Sequence, residues 1–179
     1  MNLRIISGKF GGRTIQAPDG KTTHPMGERV RGSLFNIIGD EIKSAEVLDI
    51  FAGTGSLGLE ALSRGAANVT FVERDRVASK ILAENVKALN VDSLTTSVQI
   101  GAGTWIEKNQ DKLYDIIFAD PPYNNLQLST VSRLGGLLKP NGLMVLSYPG
   151  RGEVPTVYGV VVVDNRSYGT AALTFYRKK

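Results

Sequence analysis

From residue 46 onward, short apolar runs alternate with amphipathic stretches, and that alternation leaves few folds open to the chain. EVLDIF precedes SLGLEALSRGA, NVTFVE precedes DRVASKILAENVKAL, SVQI precedes a short helical stretch, and YDIIFA precedes a helix running towards Leu138. GLMVLSY supplies a fifth strand, with VYGVVVVD and TAALTFY as two more. This order predicts a doubly wound α/β fold, a mostly parallel seven-stranded sheet with helices on both faces. Ligands of such sheets bind at the carboxyl ends of the strands, beside the switch in strand order.

The first strand runs into Asp49-Ile50-Phe51-Ala52-Gly53-Thr54-Gly55-Ser56-Leu57-Gly58. Gly53, Gly55 and Gly58 spell G-x-G-x-x-G between a strand and a helix, and Glu73 closes the next strand. Glycines permit a tight turn and close approach of a ligand, while an acidic side chain can accept hydrogen bonds from ribose hydroxyls. The glycines alone are weak evidence, because strand-to-helix turns favour small residues anyway. With Glu73 they predict an adenosine-containing cofactor, and the spacing serves NAD and S-adenosylmethionine alike.

The fourth strand ends in Phe118-Ala119-Asp120-Pro121-Pro122-Tyr123. Prolines commonly stop strands, so the plain reading is a strand end and a turn. The stretch also resembles the Asp-Pro-Pro-Tyr motif of methyltransferases that modify exocyclic amino groups of bases. A Tyr-x-x-x-Lys pair of the short-chain dehydrogenase kind does not occur, so S-adenosylmethionine is the expected cofactor. The resemblance implies that the Asp120 carboxylate and the Pro121 carbonyl accept the two amine hydrogens and that Tyr123 stacks on the base. Proline fixes its own φ and biases the preceding residue to an extended conformation, which would pre-aim those acceptors. A base inside a helix cannot reach such a pocket, so the target is expected to be unpaired or flipped out.

At 179 residues and 42% hydrophobic, the chain suits one domain with a short extension. It has no cysteine and one histidine, which excludes disulfides, thiolate zinc sites and cysteine nucleophiles, and no metal is expected. Neither a bilayer-spanning apolar run nor a secretion signal is visible, so the expected location is cytoplasmic. The net charge of +4 resides wholly in residues 1 to 31, where six basic groups face two acidic ones; elsewhere 15 of each balance. A solvated tail would explain that on charge alone, while a polyanion such as nucleic acid is the functional alternative. The same segment predicts a hairpin from about Leu3 to Ala17, turning at Gly11-Gly12. A helix follows, with Val30, Leu34, Ile37 and Ile38 on its inner face. Residues 1–44 are thus expected to be an RNA-docking appendage, with 45–179 as the catalytic domain.

With these residues placed, the whole chain resembles the bacterial 16S ribosomal RNA guanine-N2 methyltransferases of the small-subunit methyltransferase D type. RIISGKFGGR, HPMGERVRGSLFNI, VLDIFAGTGSLGLEALSRGA and IIFADPPY carry the likeness. It implies a Rossmann-like class I fold and methylation, during ribosome assembly, of one guanine N2 amine in a small-subunit hairpin loop near the P site. It further implies that Asp49, Phe51, Ala52, Gly53, Thr54, Gly55, Glu73, Arg74, Gly101 and Ala102 hold S-adenosylmethionine. Asp120, Pro121, Pro122 and Tyr123 would be catalytic, and Arg4, Lys9, Arg13, His24, Arg29 and Arg31 would face RNA. A monomer is expected. Two positions depart from relatives: Gly101-Ala102 stands where Asp or Asn often meets adenine, and Ser147-Tyr148-Pro149-Gly150 where some carry a glutamate. The rival readings are a DNA adenine or cytosine amino-methyltransferase, for which no segment is long enough to form a separate DNA-recognition domain, and a non-catalytic RNA-binding module on the same fold.

Overall fold

The structure, a computed structural model, describes residues 2–19 and 25–179. A two-stranded antiparallel ribbon, β1 (Asn2–Arg4) and β2 (Thr14–Gln16), precedes the first helix, α1 (Glu28–Ile38). Seven strands then form the main sheet: β3 (Glu46–Asp49), β4 (Asn68–Glu73), β5 (Thr95–Gln99), β6 (Tyr114–Ala119), β7 (Leu138–Tyr148), β8 (Val160–Tyr168) and β9 (Ala171–Lys178). Their order is β5-β4-β3-β6-β7-β9-β8, and only β9 runs antiparallel to its neighbours. The chain builds outward from β3 through β4 to β5, then crosses to the other side for β6. This is the doubly wound, Rossmann-like sheet expected from the sequence, and its switch point lies between β3 and β6.

Both faces of the five inner strands are buried, and the period of two along each divides its residues between two cores. Val47, Phe71, Ile116 and Val145 meet α1, α2 (Ser56–Ser63) and α3 (Arg76–Ala88) on one side. Leu48, Val72, Ile117 and Met144 meet α4 (Ala102–Lys108) and α5 (Leu128–Val131) on the other. α3 starts where Asp75 caps it, accepting the Ala78 N–H at 2.8 Å. The helix expected to run towards Leu138 is only four residues of α5 and a 3-10 turn over Leu134–Leu137. Gly135-Gly136 weakens that helix, and a Cβ on Gly135 would stand 2.2 Å from the Tyr158 carbonyl. Among the described residues no helix is long and apolar enough to cross a membrane.

The N-terminal ribbon forms where the alternation predicted it, yet it does not hang free. Ile5, Phe10 and Ile15 are buried in the same core as Val47 and Phe71. Glu60 of α2, with no exposed surface, accepts the Ile6 and Ser7 N–H groups at 2.9 and 3.2 Å. Ser63 Oγ accepts the Phe10 N–H at 2.9 Å, and Asn85 of α3 exchanges hydrogen bonds of 2.8 and 2.9 Å with the Gln16 backbone. In α1 the inner face is turned from the one expected: Arg31, Leu34, Phe35 and Ile38 are buried, and Val30 and Ile37 lie at its margin. The turn brings the Arg31 guanidinium to the buried Glu60 carboxylate, 3.6 Å from Nε to Oε1.

Candidate active site

Beyond β3 the chain passes through residues 50–55 into α2, tied to both neighbouring strands. The Ile50 N–H donates to Phe118 O at 3.1 Å and the Ala52 N–H to Val72 O at 3.0 Å. Gly55, at φ 92°, occupies left-handed backbone at the start of α2. Gly58 is small for another reason: a Cβ there would stand 2.3 Å from the Phe71 ring, so α2 can lie against β4 only without it. Gly53 faces open space, with nothing within 4 Å of where its Cβ would be. That space belongs to a cavity of about 670 Å³ at the carboxyl ends of β3, β4 and β6.

Three carboxylates meet this cavity. Asp49, 1% exposed, accepts the Gly58 N–H at 3.0 Å through Oδ2, while its Oδ1 is buried with no partner. Burial raises its pKa to about 7 against the pull of the Gly58 hydrogen bond, and the Asp120 and Glu73 charges add to the rise. Glu73 spans the loop, Oε1 accepting the Gly53 N–H at 2.8 Å and Oε2 the Asp75 N–H at 2.7 Å. Each oxygen keeps a lone pair for a ligand. Asp120, just past β6, is pushed up to about 6 by burial, with the Ser147 hydroxyl pulling the other way. Tyr123 exposes 43% of its surface while its hydroxyl lies 2.8 Å from Ser147 Oγ.

Of the residues expected to hold a cofactor, Asp49, Phe51, Ala52, Gly53, Thr54, Glu73, Arg74 and Ala102 line this one cavity. Asp120, Pro121, Pro122 and Tyr123 line it too. Gly55 and Gly101 are not part of the lining; Gly55 shapes the turn and Gly101 caps α4. Beside Gly101 the wall is apolar, formed by Ile100 and Ala102.

Residues 1–44, expected to be an appendage to the catalytic domain, contribute to the pocket. Pro18, Pro25, Met26, Gly27 and Val30 form part of its wall, because the start of α1 packs across the strand ends. The stretch HPMGERVRGSLFNI was the sequence signal for all of them but Pro18. Ser147 also lines the cavity, and it is visible in the sequence only as a departure at the end of the fifth strand.

The cations expected to face RNA fall into three groups. Lys9 and Arg29 present their charge outward, Lys9 beside the Phe10 ring at 5.5 Å and Arg29 along a shallow groove with Gly32 and Asn36. Arg4 pairs with Glu28, and Arg13 donates to Ala88 O at 2.9 Å and lies over Phe10. Arg31 is not at the surface at all: 1% exposed, it donates to the Met26 and Arg4 carbonyls beside Glu60. Its charge serves the fold, which corrects the expectation that it meets RNA. His24 lies outside the described residues.

The family described as conserved hypothetical protein 95 matches residues 3–177. Ribosomal RNA small subunit methyltransferase D of Haemophilus influenzae is 37% identical over 180 residues, covering 98% of this chain and 93% of its own. The Escherichia coli protein of the same name is 36% identical over 158 residues, 87% and 79% of the two chains. The solved structure of yhhF from Escherichia coli superposes with a TM-score of 0.90 at 33% identity, over 100% of this chain and 99% of that one. Matched over nearly its full length, the chain belongs to the ribosomal RNA small subunit methyltransferase D family.

Proposed function

We propose that the protein methylates the exocyclic N2 amine of a guanine in 16S ribosomal RNA, with S-adenosylmethionine as the methyl donor. The observation that carries this reading is the acidic wall of the cavity, above all the buried, unpartnered Oδ1 of Asp49. Asp49, Glu73 and Asp120 outnumber the single cation Arg74 in the lining. Such a wall repels the pyrophosphate of a dinucleotide and attracts a cationic ligand. Asp49 would take the ammonium of the methionine moiety, Glu73 the ribose hydroxyls, and the apolar surface of Ile100 and Ala102 the adenine. When bound, S-adenosylmethionine supplies an electrophilic methyl on a sulfonium.

The chain's own groups then address the amine. Its lone pair is delocalised into the purine ring, so the pose decides the rate. The Asp120 carboxylate and the Pro121 carbonyl accept its two hydrogens, which turns nitrogen density towards the donor. Tyr123, half exposed at the cavity mouth, offers its ring as a stacking surface. Asp120 receives the proton that leaves the amine as the N–C bond forms and the sulfonium's S–C bond breaks, with S-adenosylhomocysteine as the leaving group. Burial of Asp120 suits it to that step by raising its affinity for a proton. The RNA backbone is held outside the pocket, by Lys9 and Arg29 on the N-terminal segment, residues 1–44. The names of the relatives support a ribosomal RNA substrate.

Asp120→Ala tests the assignment. Methyl transfer to small-subunit RNA should fall at least about 100-fold, a loss typical of a positioned acid–base group. S-adenosylmethionine affinity, measured by titration calorimetry, should stay within a few-fold, and NAD should not bind. Near-normal turnover in this variant would sink the catalytic role.

A further inference from the structure

Pro121 and Pro122 have no N–H to give, so the loop that carries the acceptors and the aromatic ring has few backbone tethers. Asn125 N–H to Pro122 O, at 2.9 Å, closes a turn within the loop and does not anchor it to the sheet. The anchor is a side chain: the Tyr123 hydroxyl reaches Ser147 Oγ at 2.8 Å. Ser147 is 3% exposed, sits near the end of β7, and lines the cavity. β7 pairs with β6 in register Ala119 with Leu146, so Ser147 stands across from Asp120. A hydroxyl has one proton to donate and can accept as well. Ser147 therefore can accept from Tyr123 and donate to the Asp120 carboxylate.

We propose that Ser147 is a positioning residue for methyl transfer, its hydroxyl joining Tyr123 to Asp120 so that stacking ring and amine acceptor are presented as one unit. The proposal rests on the methyltransferase reading above. Without the hydroxyl, the Tyr123 ring would swing on a loop of two prolines, and Asp120 would lose a donor that favours its charged form. A hydroxyl donor at Ser147 favours the charged form of Asp120 and works against the burial that raises it. The other titratable groups at this end of the cavity are Asp49 from β3, Glu73 and Arg74 from the end of β4, and Tyr123 from the loop itself. Among these only Tyr123 carries a hydroxyl, and in this arrangement its proton is directed at Ser147.

The test compares Ser147→Ala, Ser147→Thr and Tyr123→Phe with the wild-type protein. Two readouts are used: carbon-13 NMR titration of the Asp120 carboxyl in the ligand-free protein, and the pH profile of single-turnover methylation. In Ser147→Ala the Asp120 midpoint and the acid limb of the profile should both move to higher pH. Turnover near neutrality should drop between about 10- and 100-fold, as misplaced reacting groups do. Cofactor affinity should hold within about twofold, since Ser147 is not among the groups assigned to the cofactor. Thr keeps the hydroxyl and should restore midpoint and rate, whereas Tyr123→Phe should slow turnover and leave the midpoint nearly in place. An unmoved midpoint and acid limb in a folded Ser147→Ala protein overturns the proposal, as does a loss that Thr fails to restore. The NMR arm needs no turnover, so a wild-type protein that bound no S-adenosylmethionine would defeat the functional reading while the Ser147–Asp120 link was still measured.

Discussion

The strand-end cavity and the N-terminal segment both bury charge, and they do so in opposite ways. Around Glu60 the buried charges have opposite charges or donors beside them: Arg64 Nε at 2.9 Å, the Ile6 and Ser7 N–H groups, and the Arg31 guanidinium, whose Nε at 3.6 Å makes an ion pair but no hydrogen bond. In the cavity, acids stand beside acids, and Asp49 Oδ1 has nothing to bond. A buried charge that is paired records a requirement of the fold, while one left unpaired records a ligand still to come. The basic N-terminus looked functional in composition, and part of its charge proves structural. The acid at residue 49, expected among the cofactor residues, forms the least satisfied point of the cavity wall.

Three experiments can break or sharpen that contrast. The largest effect should come from Glu60→Ala, which strands Arg31 in the core and leaves two backbone N–H groups unsatisfied. Breaking a buried pair of this sort costs about 3 to 5 kcal/mol, readable in denaturant unfolding. A loss under about 1 kcal/mol, the size of a surface pair, would mean that the N-terminal charge is not structural.

Asp49→Asn should act in the opposite direction and only above mildly acidic pH. The folded chain holds the Asp49 proton up to about 7, against a reference of 3.8, so folding binds protons and the ligand-free protein loses stability as pH climbs between those values. Asn carries no charge and escapes the loss. It should stabilise the ligand-free protein by up to about 4 kcal/mol at pH 8 and leave it unchanged near pH 3.5. Equal melting of variant and wild type at both pH values would show that Asp49 is not an unpaired charge.

The smallest stability effect belongs to the double change Lys9→Gln, Arg29→Gln. Neither residue is buried, so stability should move by less than about 0.5 kcal/mol. RNA affinity should weaken, and its salt dependence should flatten as fewer counterions are released. An unchanged salt slope would place the RNA surface elsewhere on the molecule.

The sheet was legible because each of its strands is a local signal, and seven of them lie between residues 46 and 178. The glycine loop and Asp120–Tyr123 were legible because backbone requirements leave a mark on residue type: no side chain larger than hydrogen fits beside Phe71 at Gly58. The N-terminal cations were less legible, since exposure depends on partners far away in sequence. Arg29 and Arg31 are two residues apart in one helix; one borders a solvent groove and the other meets a carboxylate 29 residues downstream. Ser147 escaped for the same reason, its partner Tyr123 lying 24 residues back on another strand's end.

The hydrogen bonds of Asn85 carry a consequence for how the chain comes to be folded. One side chain holds the Gln16 N–H and carbonyl, 69 residues away, and the Thr54 carbonyl, 31 residues away. At a synthesis rate of about 5 to 20 residues per second, the ribbon is made several seconds before the residue that secures it. Closing contacts so distant along the chain pays its entropy before any reward, so the ribbon settles late although it is made first. The surface bearing Lys9 thus takes its final form only on a molecule whose glycine turn and third helix already stand.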